Sequence, residues 1–284
     1  MVQITLINKN VPLPLNPFCY FRLDLHGNKL TEVPEAIQRI PKLRQLNLGA
    51  NRIAMINMND FSRNQDLEFL ILRNNIIENF PQKLPQSLRK LSLARNRLRS
   101  VGDIRYLENL SMLRLDGNMF TEIPRTLIPD SIEELTMCSN KLNDDSVMDS
   151  STLESYPMLR RLRLTGNTGI TNIGSKFFSK AQSLREVDLS FCGIKKIASD
   201  AFACARDLQN LGLQGNKLSS FDESWFMYNR RLRSLTMANN PWECTCDFVS
   251  HLMGVEKAVM ARCERLIRKH ENSKDAESME IVKK

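Results

Sequence analysis

Residues 88–98 read Leu88-Arg-Lys-Leu91-Ser-Leu93-Ala-Arg-Asn96-Arg-Leu98, and this phrase decides the fold. Apolar residues hold its first, fourth, sixth and last positions, and an asparagine holds the ninth. The same spacing starts again at Tyr20, Leu43, Leu67, Leu110, Ile132, Leu159, Leu184, Leu208 and Leu232. Its ninth position falls at Asn28, Asn51, Asn75, Asn96, Asn118, Asn140, Asn167, Cys192, Asn216 and Asn240, in steps of 23, 24, 21, 22, 22, 27, 25, 24 and 24 residues. Self-similarity at a period of about 20 to 50 residues is the mark of a stacked repeat array.

Each part of the phrase has a physical task. Where apolar and variable residues alternate, a short parallel strand forms, with Leu23 and Leu25, or Leu46 and Leu48, turned inward and their neighbours displayed. The chain then bends, and its buried backbone groups need partners. An asparagine amide both donates and accepts, so stacked asparagines build a ladder. Cys192 replaces one rung with a weaker donor. No repeat can bury its apolar face alone, so stacking is obligatory and the ends need caps.

The return segments vary. Those after Pro81 and Pro124 are short and proline-punctuated, whereas Phe61, Phe178, Phe202 and Phe226 each stand six residues before the next phrase. A fixed register of this kind predicts an aromatic spine inside the core, in preference to a ligand pocket.

Over residues 20–240 the chain is identified as resembling the leucine-rich-repeat family. The resemblance implies an α/β solenoid, a curved horseshoe with a parallel concave β-sheet, about ten repeats and a helical C-terminal cap. Residues 1–19 are then an N-terminal cap, in which Val2, Ile4 and Leu6 alternate as a strand would. The stretch NPWECTC, residues 240–246, resembles the opening of the cysteine-containing cap of extracellular relatives. From Phe248 to Leu266 apolar residues recur at helical spacing, so residues 241–270 are expected to form a cap helix. The charged tail, 271–284, is expected to be disordered.

By the same resemblance, Cys244, Cys246 and Cys263 are disulfide candidates, Cys263 pairing back to Cys244 or Cys246. The usual cap has four cysteines and only three follow residue 240, so one thiol is free, joins another chain as a route to oligomers, or has its mate beyond residue 284. The N-terminal caps of secreted relatives also carry four, and only Cys19 is available here. The cap and the phenylalanine-bearing repeats resemble Toll-like and insect leucine-rich immune and adhesion ectodomains, which implies an extracellular protein.

The bulk composition is compatible with this. The chain has 284 residues, 42% hydrophobic and 25% charged, with a net charge of +8. The excess favours acidic partners, an acidic glycan among them, and does not by itself call for nucleic acid. No apolar run approaches the ~18 residues of a membrane span, and the start lacks the form of a signal peptide.

No catalytic constellation is legible. Of the three histidines, the solenoid separates His26 from His251 and His270, and no glycine-rich phosphate loop occurs. Cys244, Cys246 and Cys263 have spacing that zinc could use, but the adjoining Pro-Trp favours a disulfide cap over metal. Neither a cofactor, a metal nor enzymatic activity is expected. One glycosylation sequon, Asn109-Leu-Ser111, precedes a strand.

The register predicts what the sheet displays. In repeats three to five, Phe69, Ile71 and Met112 stand beside Arg73, Lys90 and Arg114. An apolar group rimmed by cations is the pattern of a protein-binding hot spot, and these six residues are the expected partner site. Further along, Glu134, Arg161 and Glu186 alternate in one column with Arg163 and Asp188 in the next, an arrangement expected to neutralise itself across strands. A third feature is a basic cluster of Arg89, Lys90, Arg95, Arg97 and Arg99 that could attract sulfated glycan. The expected function is a non-enzymatic extracellular scaffold that binds a protein on its concave face, in innate immune recognition or adhesion. A cytosolic repeat scaffold and a matrix protein that binds sulfated glycan are the rivals.

Overall fold

A computed structural model describes residues 21–125, 127–147 and 151–242. Each phrase forms a three-residue strand: β1 (Arg22–Asp24), β2 (Gln45–Asn47), β3 (Phe69–Ile71), β4 (Lys90–Ser92), β5 (Met112–Arg114), β6 (Glu134–Thr136), β7 (Arg161–Arg163), β9 (Glu186–Asp188), β11 (Asn210–Gly212) and β12 (Ser234–Thr236). These ten stack in chain order as one parallel sheet. Its register sets equivalent positions of successive phrases side by side, as in Gln45↔Phe69, Phe69↔Lys90 and Lys90↔Met112. Two further strands, β8 (Asn172–Ile173) and β10 (Lys196–Ile197), form a small parallel sheet in the returns of the seventh and eighth repeats. The remaining returns are turns and short 3-10 helices such as Glu35–Arg39 and Glu223–Phe226, with one α-helical turn, α1 (Ser151–Glu154). This is the leucine-rich-repeat horseshoe.

The core runs the length of the array. The middle residue of every strand and the apolar residue just past it, Leu46 and Leu48 or Leu113 and Leu115, are buried. Phenylalanines fill the outer layer. Ring centroids lie 5.1 Å apart for Phe178 and Phe202 and 6.0 Å apart for Phe202 and Phe226, and Phe61 is buried in its own repeat. The rings form the expected spine.

The asparagine ladder accounts for the turns that follow the strands. Asn75 Nδ2 donates to Leu72 O in its own repeat and to Leu48 O in the one before, both at 3.0 Å, while its Oδ1 accepts from Ile53 N at 2.9 Å. Asn51, Asn96, Asn118 and Asn216 repeat the pattern. At the substituted rung, Cys192 Sγ donates to Leu164 O at 3.3 Å but offers no amide oxygen. The turn of the preceding repeat is closed within itself, where Ile170 N donates to Asn167 O at 3.0 Å.

The residue before each rung adopts positive φ in every repeat: Gly27, Gly117, Gly166 and Gly215, but also Ala50, Asn74, Arg95, Ser139, Phe191 and Asn239. The bend that aims the amide inward requires this left-handed conformation, which glycine adopts without penalty. A second asparagine pair was not anticipated. Asn64 and Asn229 stand three residues after a spine phenylalanine, and each donates to two return carbonyls of the preceding repeat.

At the C-terminal end, Trp242 packs against the core and donates to Met237 O at 3.2 Å. The expected N-terminal cap, the cap helix with Cys244, Cys246 and Cys263, and the charged tail lie outside the described residues.

Candidate functional site

The strands display their first and third residues on the inner surface, in two columns about 4.8 Å from rung to rung. In the first column Phe69, Lys90 and Met112 are consecutive neighbours. In the second, Ile71, Ser92 and Arg114 are. Phe69, Ile71 and Met112 are each partly buried. Lys90 Nζ lies 5.4 Å from the Phe69 ring centroid, within reach of a cation–π attraction. Arg73 is exposed just past β3, its stem against Gly49. The fold therefore brings together all six residues singled out in the sequence.

Their electrostatics differ from expectation at one of them. Arg114 Nη2 donates to Glu134 Oε1 at 3.2 Å, and Arg161 Nη1 to Glu134 Oε2 at 2.7 Å. The Glu134 side chain is only 8% exposed, so it needs both guanidiniums to offset its lost hydration. Arg114 is thus half of a buried carboxylate's neutralisation, not an unengaged rim cation. The chain of charges continues through Glu186, which takes Arg161 at 3.8 Å and Arg163 at 2.5 Å. Arg163 pairs with Glu186 and not with Asp188, whose carboxylate instead caps the turn by accepting from Ser190 N at 3.0 Å. Beside this network lies a hollow of about 490 Å³ lined by Met112, Glu134, Arg161, Arg185 and Glu186, which continues the apolar patch as a charged floor.

The basic cluster does not form one patch. Arg89 faces Glu68 at 3.8 Å and Lys90 covers Phe69, both at the start of β4. Arg95, Arg97 and Arg99 leave from the far end, on the flank formed by the ladder turns.

Two of the described thiols are at least partly buried and quenched. Burial, reinforced by the Asp116 carboxylate, pushes the Cys138 thiol up to about 12, and burial pushes Cys192 up to about 11. Among the described residues no cluster of histidine, cysteine, aspartate and glutamate could hold a metal ion. Nor is any described helix long and apolar enough to cross a membrane.

With this geometry in view, the chain can be set beside known proteins. The family model "Leucine rich repeat" matches residues 157–218 and 182–241. Podocan of Mus musculus is 31% identical over 234 residues, which cover 77% of this chain and 37% of podocan. In the crystal structure of a TLR13–ssRNA13 complex, the receptor superposes with a TM-score of 0.70 at 22% identity, over 83% of this chain and 36% of that one. The structure of the Toll–Spatzle complex from Drosophila gives 0.65 at 22% identity, over 78% and 32%. The chain spans roughly a third to a half of the length of the first curated relatives it matches, 37% in podocan and 46% in a human oligodendrocyte-myelin glycoprotein.

Proposed function

This chain is a leucine-rich-repeat protein of the extracellular type, and from that premise we propose that it is a non-enzymatic recognition scaffold that works outside the cell and binds a protein on its concave face. The observation that carries the proposal is the half-buried trio Phe69, Ile71 and Met112. It is laid out by register on a rigid sheet, with Lys90 and Arg73 at its border. Apolar side chains held half-exposed among cations gain most from a partner that completes their burial and supplies carboxylates. The charged floor at Glu134, Arg161 and Glu186 would fix orientation more than affinity, because its charges already satisfy one another. A protein ligand is favoured by likeness to the Toll–Spatzle complex, in which a related horseshoe is solved with a protein. Innate immune recognition or adhesion is the corresponding biological role.

The test is differential capture from extracellular fluid. Phe69→Ala with Ile71→Ser removes the trio's centre and leaves Glu134 its two arginines, so the fold should persist. The variant should lose the species that the unaltered chain retains, with affinity down at least tenfold. Equal capture by both, with equal melting temperatures, would remove the patch from the account.

A further inference from the structure

We infer that the flank built by the ladder turns of the first four repeats is a binding ledge for a sulfated polysaccharide, separate from the concave protein site. The juxtaposition that supports this is a group of exposed cations in and just after the ladder turns: Lys29, Arg52 and Arg97 share one stacked column, interrupted by Ile76, and Arg95 and Arg99 flank Arg97. Backbone hydrogen bonds fix the spacing from turn to turn. Arg52 N donates to Leu30 O at 2.8 Å, Ile76 N to Ile53 O at 3.0 Å and Arg97 N to Ile77 O at 2.8 Å. The turns that carry these cations therefore belong to the rigid body of the solenoid.

One observation separates this ledge from an ordinary solvated edge. On the sheet face, Arg44, Arg89, Arg114, Arg160, Arg161 and Arg163 all have carboxylate partners. On the ledge, the one ion pair among the described residues joins Arg97 to Glu78 at 3.1 Å. Part of the chain's positive excess is thus gathered on this flank.

The ligand chemistry follows from the side chains. Guanidinium groups bind tetrahedral oxyanions through paired N–H donors, and several of them spread along one flank suit a polymer bearing such groups along its length. Single-stranded nucleic acid would also want rings for its bases to stack on. The exposed aromatics among the described residues, Phe21, Phe191 and Tyr228, stand elsewhere, while the exposed ledge residue between Arg52 and Arg97 is Ile76. Sulfated polysaccharide is the better match.

Immobilised heparin is the probe, with fully desulfated heparin and a single-stranded oligodeoxynucleotide as comparators. The variant Arg52→Ser/Arg95→Gly/Arg97→Ser should bind heparin at least tenfold more weakly, with a salt dependence shallower by about two released ions. Arg95→Gly also relieves the turn, so the melting temperature should not fall. Removing three cations on the returns, Lys176, Lys195 and Arg206, should change affinity less than twofold, as should Phe69→Ala/Ile71→Ser, which separates this site from the concave one. Equal loss in both triple variants, equal binding of desulfated heparin, or tighter binding of the oligodeoxynucleotide would each overturn the assignment.

Discussion

At the scale of single residues, Asn118 shows how the array holds together. Its amide donates to Leu93 O, Leu115 O and Asp116 O and accepts from Leu98 N, all within 3.3 Å. Asn118→Ala would leave several buried backbone groups without partners and is expected to lower stability by about 3 kcal/mol. Cys192 holds the same rung with only thiol contacts, to Leu164 O and Ser190 O. Cys192→Ala is expected to cost about 1 kcal/mol, by loss of a weak bond and some packing. Urea unfolding of the two variants checks the difference; equal losses would show that the rungs do not carry the load assigned to them. The rungs were legible in the sequence because asparagine recurs there at fixed period. The left-handed residue before each rung was not, since glycine fills it in only four repeats and six other residues adopt it under the pressure of the stack. The pairing of Arg114 with Glu134 was hidden as well. Alternating sign in a column suggests neutralisation, but which carboxylate is buried is settled by packing.

Among the elements, the strands and their register were readable almost to the residue, because period-two alternation and the ladder position leave one way to align the phrases. The returns were readable only where they carry a repeated mark such as the spine phenylalanines. The β8–β10 sheet and its latch were missed because they occur once. In the latch, Asp144 accepts from the backbone N–H and hydroxyl of Thr171 and from the backbone and side-chain amides of Asn172. Partial burial opposes its charge, but these bonds outweigh burial and hold the carboxyl below the ordinary value of 3.8. The folded form therefore favours the ionised group. The stabilisation is complete above the unfolded value and is lost as pH falls through the lower folded one. Asp144→Asn, which cannot ionise, should melt at a lower temperature than the unaltered chain near neutral pH. That gap should shrink as pH falls below about 4. A gap that stays constant from pH 7 to pH 2 would show that the carboxylate's charge is not what fastens the latch.

For the whole molecule, function follows from the stack itself. A ten-stranded parallel sheet assembled one repeat at a time runs the length of the described array. It has long, rigid, repetitive surfaces, and these suit extended partners. The inner surface carries the apolar trio and its charged floor, and the flank carries exposed cations with one ion pair among the described residues. The most direct test of the central claim is site-specific photocrosslinking to the captured protein partner, with p-benzoylphenylalanine placed at Ile71 on the inner surface or at Cys204 on the exposed outer returns. The account predicts a strong adduct from position 71 and none from position 204. Adducts from position 204 with none from position 71 would contradict it.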